Sequence, residues 1–165
     1  MKFSFQKLRE ARQLIPFVRK LDGALMRNPR RDIDELLISA VQWAGRATVE
    51  LRREEAFLLS AVALESIVLP EGDPRELSYR LRIRTAHLLG DSVKERDEIS
   101  TEVNDLYVIR SKIVHKGFCQ VTDAERNRMK AVVTQVIFRI LRSRTVAKLS
   151  SRKEFARWFE AKVLS

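Results

Sequence analysis

The clearest structural signal in this chain is the stretch ISTEVNDLYVIRSKIVHKG, residues 99–117. Its apolar residues recur at intervals of three and four, which is the spacing of one helix face. They are Ile99, Val103, Leu106, Tyr107, Ile113 and Val114. Asp91 or Ser92 can begin this helix and Gly117 can close it. The pattern predicts a long amphipathic helix that packs against other helices.

Two side chains of this helix can carry chemistry. Arg110 falls in the centre of the apolar stripe, so its guanidinium needs a carboxylate or a phosphate partner. His115 falls on the neighbouring stripe with Asn104, Val108 and Ser111, at the helix end. An imidazole there suits proton transfer near neutral pH. The spacing alone is common, and taken by itself it favours an ion-paired core arginine and a helix-end histidine over a catalytic pair.

The other helices are expected on both sides of this one. The predicted segments are a short helix Ser4–Leu14 before Pro16, Ile33–Val49 capped by Asp32, a central and most buried helix Arg53–Leu69, a helix from Pro74 to Gly90 capped by Asp73, a helix from Thr122 or Asp123 to about Arg144, and a last one after Ser150 or Ser151. No segment alternates as strands do. The class is all-α, a compact bundle of about five to six helices.

Composition limits the kinds of protein this chain can be. Its 165 residues are 45% hydrophobic and 33% charged, which is typical of a globular domain. One cysteine excludes an internal disulfide framework, and two histidines with it cannot make a self-contained zinc site. No stretch has the length of a membrane span or the pattern of a secretory signal, so we expect a cytoplasmic protein that does not contact membranes.

Positive charge is concentrated at the two ends of the sequence. Residues 1–31 carry a net charge of +7, residues 32–125 carry −6, and residues 126–165 carry +9. We therefore divide the chain into a basic N-terminal arm (1–31), a helical domain (32–145) and a basic amphipathic C-terminal helix (146–165). Basic ends attract polyanions through counterion release, although they also simply keep a protein soluble.

Three further motifs carry a family resemblance. They are ALESIVLPE (63–71), ELSYRL (76–81) with AHLLG (86–90), and LYVIRSKIVHKG (106–117). In this order they resemble the ApeA-like branch of the HEPN superfamily, over roughly residues 34–142. The resemblance implies an all-α domain that pairs through the helices bearing the Arg-x4-His element. Many members are metal-independent endoribonucleases, and others are inactive binding modules.

The resemblance assigns roles to particular residues. Arg110 and His115 match the catalytic pair, and Ser111 stands at a usually polar position beside them. Glu65, Tyr79 and Arg80 match recurrent positions whose roles we expect to be mainly structural. Because Glu65 lies in the most apolar helix, we expect it to pair with Arg80 or with Arg84. Lys112 and Lys116 flank the pair and can contact phosphates.

The expected function is therefore RNA cleavage without a metal or cofactor. The RNA 2′-OH would attack at a composite site in a homodimer, in which two copies of Arg110 and His115 meet. Family analogy suggests a setting in defence, toxin–antitoxin function or RNA stress response, with an antitoxin or regulatory protein as a further partner. The alternative is a non-catalytic HEPN module that binds RNA, a nucleotide or a protein. A basic helical DNA-binding protein is a third alternative.

Overall fold

The computed structural model describes residues 5–71, 75–116 and 120–164, with side chains from residue 15 onward. These residues form α-helices and one 3₁₀ turn, without strands, which confirms the predicted all-α class. The helices are α1 (Phe5–Leu25), α2 (Asp32–Val49), α3 (Arg53–Val68), α4 (Leu77–Leu89), α5 (Val93–Lys116), α6 (Asp123–Arg142) and α7 (Arg152–Val163). The 3₁₀ turn, Val146–Lys148, lies between α6 and α7.

Helix α3 lies at the centre of the bundle. It packs against α2, α4, α5 and α6. Its side chains Phe57, Leu64 and Ile67 are fully buried, and even Ser60 is buried because its hydroxyl donates to the carbonyl oxygen of Ala56 at 2.9 Å. An apolar sequence around most of a helix predicts this position, since every face then needs a neighbour.

Helices α4 and α5 form an antiparallel hairpin around a three-residue connection. A Cβ at Gly90 would lie 2.9 Å from the backbone nitrogen of Arg96, so this corner has room only for glycine. Ser92, one of the two starting residues that the sequence offers, caps α5 reciprocally with Glu95. Helix α4 begins at Leu77, later than predicted, and the expected cap Asp73 and first-turn Pro74 lie outside the described residues.

Helix α1 is longer than its sequence predicts. It continues through Pro16 to Leu25 instead of ending near Leu14. Proline removes one backbone donor and disfavours a helix interior. Tertiary packing compensates for that loss, because the Phe17 ring contacts the Phe138 ring edge-on with centroids 4.7 Å apart, and Leu21 packs on the core.

The start of α2 is organised by Asp34 and not by the expected cap Asp32. Arg31 occupies the cap position, and Asp34 is almost fully buried. Arg31 donates from Nε and Nη2 to the two carboxylate oxygens at 2.9 and 2.8 Å, and Arg27 donates a further hydrogen bond. Arg31 also reaches the carbonyl oxygens of Ala147 and Leu149 at 2.9 and 3.1 Å. This cluster ties α2 to the end of α1 and to the 3₁₀ turn.

Helix α7 packs on α4 and completes the core. Phe155 and Phe159 are fully buried, and Phe159 lies beneath the Arg84 guanidinium at 5.4 Å. Ser151 caps the helix and accepts the backbone N–H of Glu154 at 3.2 Å. The basic N-terminal and C-terminal segments therefore both pack onto the same bundle.

Acid sensitivity follows from the buried Asp34 carboxylate. Burial by itself would raise the pKa of Asp34, but the hydrogen bonds from Arg31 and Arg27 outweigh it and lower the pKa from 3.8 to about 2. The folded state therefore binds this proton more weakly than the unfolded state does. The resulting stabilisation, about 2 kcal/mol, is present above the unfolded pKa and is lost as the pH falls toward 2.

We expect Asp34→Asn to lower the free energy of unfolding at pH 7 by about 2 kcal/mol, and the difference from wild type to shrink as the pH falls below about 4. Urea titrations across this pH range measure it. Asp22→Asn, at an exposed carboxylate of α1, is the control and should change little. Parallel pH profiles of wild type and Asp34→Asn would contradict this assignment.

Candidate functional site

Arg110 lies on the buried face of α5, as the sequence predicts. Val103, Leu106 and Ile113 on that face are buried, while Val114, also expected there, is 50% exposed near the helix end. The Arg110 side chain is 23% exposed, so one part of the guanidinium is enclosed and another part is open. Its carbon Cζ lies 5.7 Å from the centroid of the Tyr107 ring.

The partner of Arg110 is Glu65 of α3. Arg110 Nε lies 2.9 Å from Glu65 Oε1, and Nη2 donates to Oε2 at 3.3 Å. Oε1 is buried, and within the described part of the chain it makes no hydrogen bond. The Nε edge of the guanidinium therefore faces Glu65, which leaves Nη1 on the other side.

The expected pairing of Glu65 with Arg80 or Arg84 is wrong. Both arginines instead contact Glu71, just after α3, each through an Nη2 to carboxylate distance of 2.6 Å. Arg84 also donates to the carbonyl oxygen of Val68 at 3.1 Å. Burial raises the pKa of Glu71, but the hydrogen bond from Arg84, a backbone hydrogen bond and the charges of Arg84 and Arg80 together outweigh it, so the net shift of the pKa is downward. Arg80 thus belongs to the corner between α3 and α4, away from Arg110.

His115 lies in the last turn of α5 and is exposed. It shares the outer face with Val108, which is 43% exposed, and with the half-buried Asn104 and Ser111. Among the described residues, no hydrogen bond joins Ser111 to His115. Five positions on an ideal helix separate Arg110 and His115 by about 140°. A single chain therefore presents Arg110 inward and His115 outward.

Lys112 and Lys116 are both exposed on α5. Like His115, they lie on the solvent-exposed side of α5, which suits contact with a polyanion. The structure thus brings Glu65 to Arg110 on the inner side of α5, while His115, Lys112 and Lys116 lie exposed on the same helix and do not meet Arg110 within one chain.

A groove that the sequence reasoning missed lies between α4 and α5. It has a volume of about 640 Å³ and is lined by Glu76, Leu77, Ser78, Tyr79, Arg82, Asn104 and Tyr107. Tyr79, expected to be structural, is 52% exposed here. The signal in the sequence was the short connection at Gly90, which pairs the start of α4 with the middle of α5.

The two basic ends of the sequence meet in the fold. Residues 15–31 contain five basic residues and one acidic residue, and residues 139–153 contain six basic residues and no acidic one. They are joined by the hydrogen bonds from Arg31 to the carbonyl oxygens of Ala147 and Leu149, and next to the first segment the backbone N–H of Arg152 donates to Asp32 at 3.2 Å. Asp34 pairs with Arg27 and Arg31, and Asp91 pairs with Arg139. The other basic residues of the two segments are exposed and form no ion pair with a described carboxylate, and we call them the basic surface: Arg19, Lys20, Arg30, Arg142, Arg144, Lys148, Arg152 and Lys153.

Comparison with protein-family models, with curated proteins and with solved structures finds no match for this chain. The resemblance to the HEPN superfamily stays a prediction from the motifs quoted above. No helix in the described ranges has the length and apolar character needed to cross a membrane. In the same ranges, no group of three or more His, Cys, Asp or Glu side chains is arranged to hold a metal ion.

The enclosed Arg110–Glu65 pair leads to a prediction about the free energy of unfolding. Glu65→Gln should lower the free energy of unfolding by about 1–3 kcal/mol, because it leaves a largely enclosed guanidinium without a counter-charge. Replacing both partners, as Glu65→Leu with Arg110→Met, should recover part of the loss. Chemical denaturation measures both effects.

The matched control is Glu102→Gln. Glu102 also pairs with an arginine, Arg128, and also attaches α5 to a neighbouring helix, but that pair is more exposed. We expect it to cost less than about 1 kcal/mol. An equal loss for Glu65→Gln and Glu102→Gln would show that the enclosure of Arg110 has no energetic consequence.

Proposed function

We propose that this chain is a metal-independent endoribonuclease of the HEPN type that acts as a homodimer through α5. The observation that carries the proposal is the placement of Arg110, a cation enclosed in the apolar face of α5 and oriented by Glu65, five residues before an exposed His115 at the end of the same helix. The family resemblance supplies the reaction. The basic surface and the exposed lysines of α5 support a polyanionic substrate.

The reaction needs a base, an acid and a positive charge. One imidazole removes the proton from the RNA 2′-OH, and the 2′-oxygen attacks the adjacent phosphorus. The bond from phosphorus to the 5′-oxygen breaks, and the imidazole of the second copy protonates that leaving oxygen. The products end in a 2′,3′-cyclic phosphate and a 5′-hydroxyl. General acid–base catalysis of this kind contributes about 10²–10⁴ in rate.

Arg110 stabilises the negative charge that develops on the phosphate. Since Glu65 faces the Nε edge, Nη1 is left to donate to a non-bridging oxygen. Glu65 is then a positioning residue, which holds the guanidinium in one orientation. Both histidines come from a two-fold pair, because one chain has a single imidazole at this helix end.

The second candidate is a non-catalytic HEPN module that binds RNA, a nucleotide or a protein. One observation favours it. The charge of Arg110 is already compensated by Glu65, and within one chain Arg110 and His115 face different sides of α5. Such a module would use the same surface for binding and would cut nothing.

Cleavage of mixed RNA in the presence of EDTA separates the two candidates. We expect wild type to cleave, and His115→Ala and Arg110→Ala to lower the rate by at least about 10²-fold while remaining folded. Arg110→Lys should not restore it, because an ammonium lacks the planar fork. Thr101→Ala, at an exposed position of the same helix, is the control. Undiminished cleavage by His115→Ala would overturn the nuclease proposal, and binding without cleavage by wild type would favour the module.

Dimerisation through α5 makes a separate prediction. Val108 is 43% exposed on the face that carries His115, so Val108→Glu should place two like charges in the interface and convert the dimer to a monomer. Light scattering after size-exclusion chromatography measures the mass. Val93→Glu introduces the same change at an 83% exposed valine at the start of α5 and should leave the dimer intact. A wild-type protein that is monomeric would contradict the composite site.

A further inference from the structure

Both tyrosines of this chain line the same groove. The sequence contains only Tyr79 and Tyr107, which are 28 positions apart, and the hairpin of α4 and α5 brings them together. The groove is shallow and open to solvent, so it can contact one face or edge of a ligand without enclosing it. We call it the tyrosine groove.

Tyr79 is exposed in a way that no other aromatic side chain is. It is 52% exposed, whereas every other aromatic ring in the part of the chain with described side chains is half-buried or buried. About half of the Tyr79 side chain is therefore available to a ligand. Tyrosine combines an apolar ring with a polar hydroxyl and is enriched at interfaces.

Guanidinium groups lie over both tyrosine rings. Arg82 Cζ is 5.1 Å from the centroid of Tyr79, and Arg110 Cζ is 5.7 Å from that of Tyr107. Arg82 donates to Ser100 Oγ at 3.0 Å, and among the described residues no carboxylate lies within ion-pair distance of it. The tyrosine groove thus combines stacking surfaces with the guanidinium of Arg82, which forms no ion pair with a described carboxylate, although Glu76 also lines the groove.

We propose that the tyrosine groove binds one unpaired nucleotide of a single-stranded RNA. The base stacks on the Tyr79 ring and the Arg82 guanidinium, the Asn104 amide bonds to the base edge, and Arg82 contacts the phosphate. Single-strand readers stack splayed bases on aromatic rings and guanidinium planes in this manner. The inference rests on the proposed function, because it takes RNA as the substrate.

The position of the groove links it to the candidate catalytic pair. The Tyr107 ring lines the groove and also lies beneath Arg110. A nucleotide held against Tyr79 therefore places the neighbouring part of the strand next to Arg110. The groove would select unpaired RNA, since a base inside a duplex has both faces covered by its neighbours.

A second protein chain fits the groove less well than a nucleotide does. Four of the lining residues are polar, namely Glu76, Ser78, Arg82 and Asn104. A dry interface would leave these groups without partners. A base offers donors and acceptors on its edge, and the phosphate complements Arg82.

Binding of a non-cleavable oligonucleotide tests the groove. The probe is a fluorescent 2′-O-methyl ribo-oligonucleotide of about eight nucleotides, which lacks the free 2′-OH and cannot be cut. We expect Tyr79→Ala to weaken binding roughly tenfold, measured by anisotropy, and Tyr79→Phe and Tyr79→Trp to retain it. Leu51→Ala, at a 91% exposed leucine between α2 and α3, is the control and should bind as wild type does. Circular dichroism checks that each variant is folded.

Abasic substitution identifies the stacked base. Removing the one base that occupies the groove should weaken binding to wild type and cause no further loss in Tyr79→Ala. Unchanged binding by Tyr79→Ala would overturn the proposal. The proposal would also be overturned if Tyr79→Ala changed the oligomeric mass but bound the oligonucleotide as wild type does, because the groove would then be a protein interface.

The two proposals fail in different ways. RNA binding that depends on Tyr79, in a protein that cuts no RNA, would support the groove and overturn the nuclease. Cleavage that depends on His115 but not on Tyr79 would support the nuclease and overturn the groove.

Discussion

A positive charge in the middle of an apolar helix face needs a negative charge within reach. Arg110 carries such a charge, and the carboxylate of Glu65 on the central helix α3 compensates it. The pair is largely enclosed, and it attaches α5 to α3. The same contact orients the guanidinium, so in the proposed nuclease one interaction would serve both packing and phosphate recognition.

The arrangement on α5 also limits what one copy of the chain can do. Arg110 is held on the inner side by Glu65, while His115 lies in the last turn on the outer side. Acid–base chemistry on RNA requires two proton-transferring groups, and a second copy is the simplest source of the second imidazole. The tyrosine groove lies beside Arg110, because Tyr107 both lines the groove and contacts the guanidinium. The basic surface is formed where the two ends of the sequence meet. Recognition of charge, of a base and of the reacting phosphate would then involve different parts of the surface.

Much of the fold could be predicted because helix signals are local. The spacing of apolar residues located the helices, and three starts fall at cap residues that the sequence offered, namely Ser92 (or Asp91), Thr122 (or Asp123) and Ser151 (or Ser150). Helix α1 was the main error. A proline argues against a helix interior, but the packing of Phe17 on Phe138, 121 positions away, overrides that local preference.

Part of the candidate site could likewise be predicted from the sequence, and part of it depended on the tertiary structure. The sequence by itself determined that α5 is amphipathic, that Arg110 lies on its apolar face and needs a counter-charge, and that His115 shares a stripe with Asn104, Val108 and Ser111, because the 3.6-residue period decides which positions share a side. Only the tertiary structure decided that Glu65 is the partner, that Arg80 and Arg84 pair with Glu71, and that Tyr79 is exposed beside Tyr107. Partner choice depends on which helices become neighbours and at what height they meet, and that is a property of the packed core as a whole.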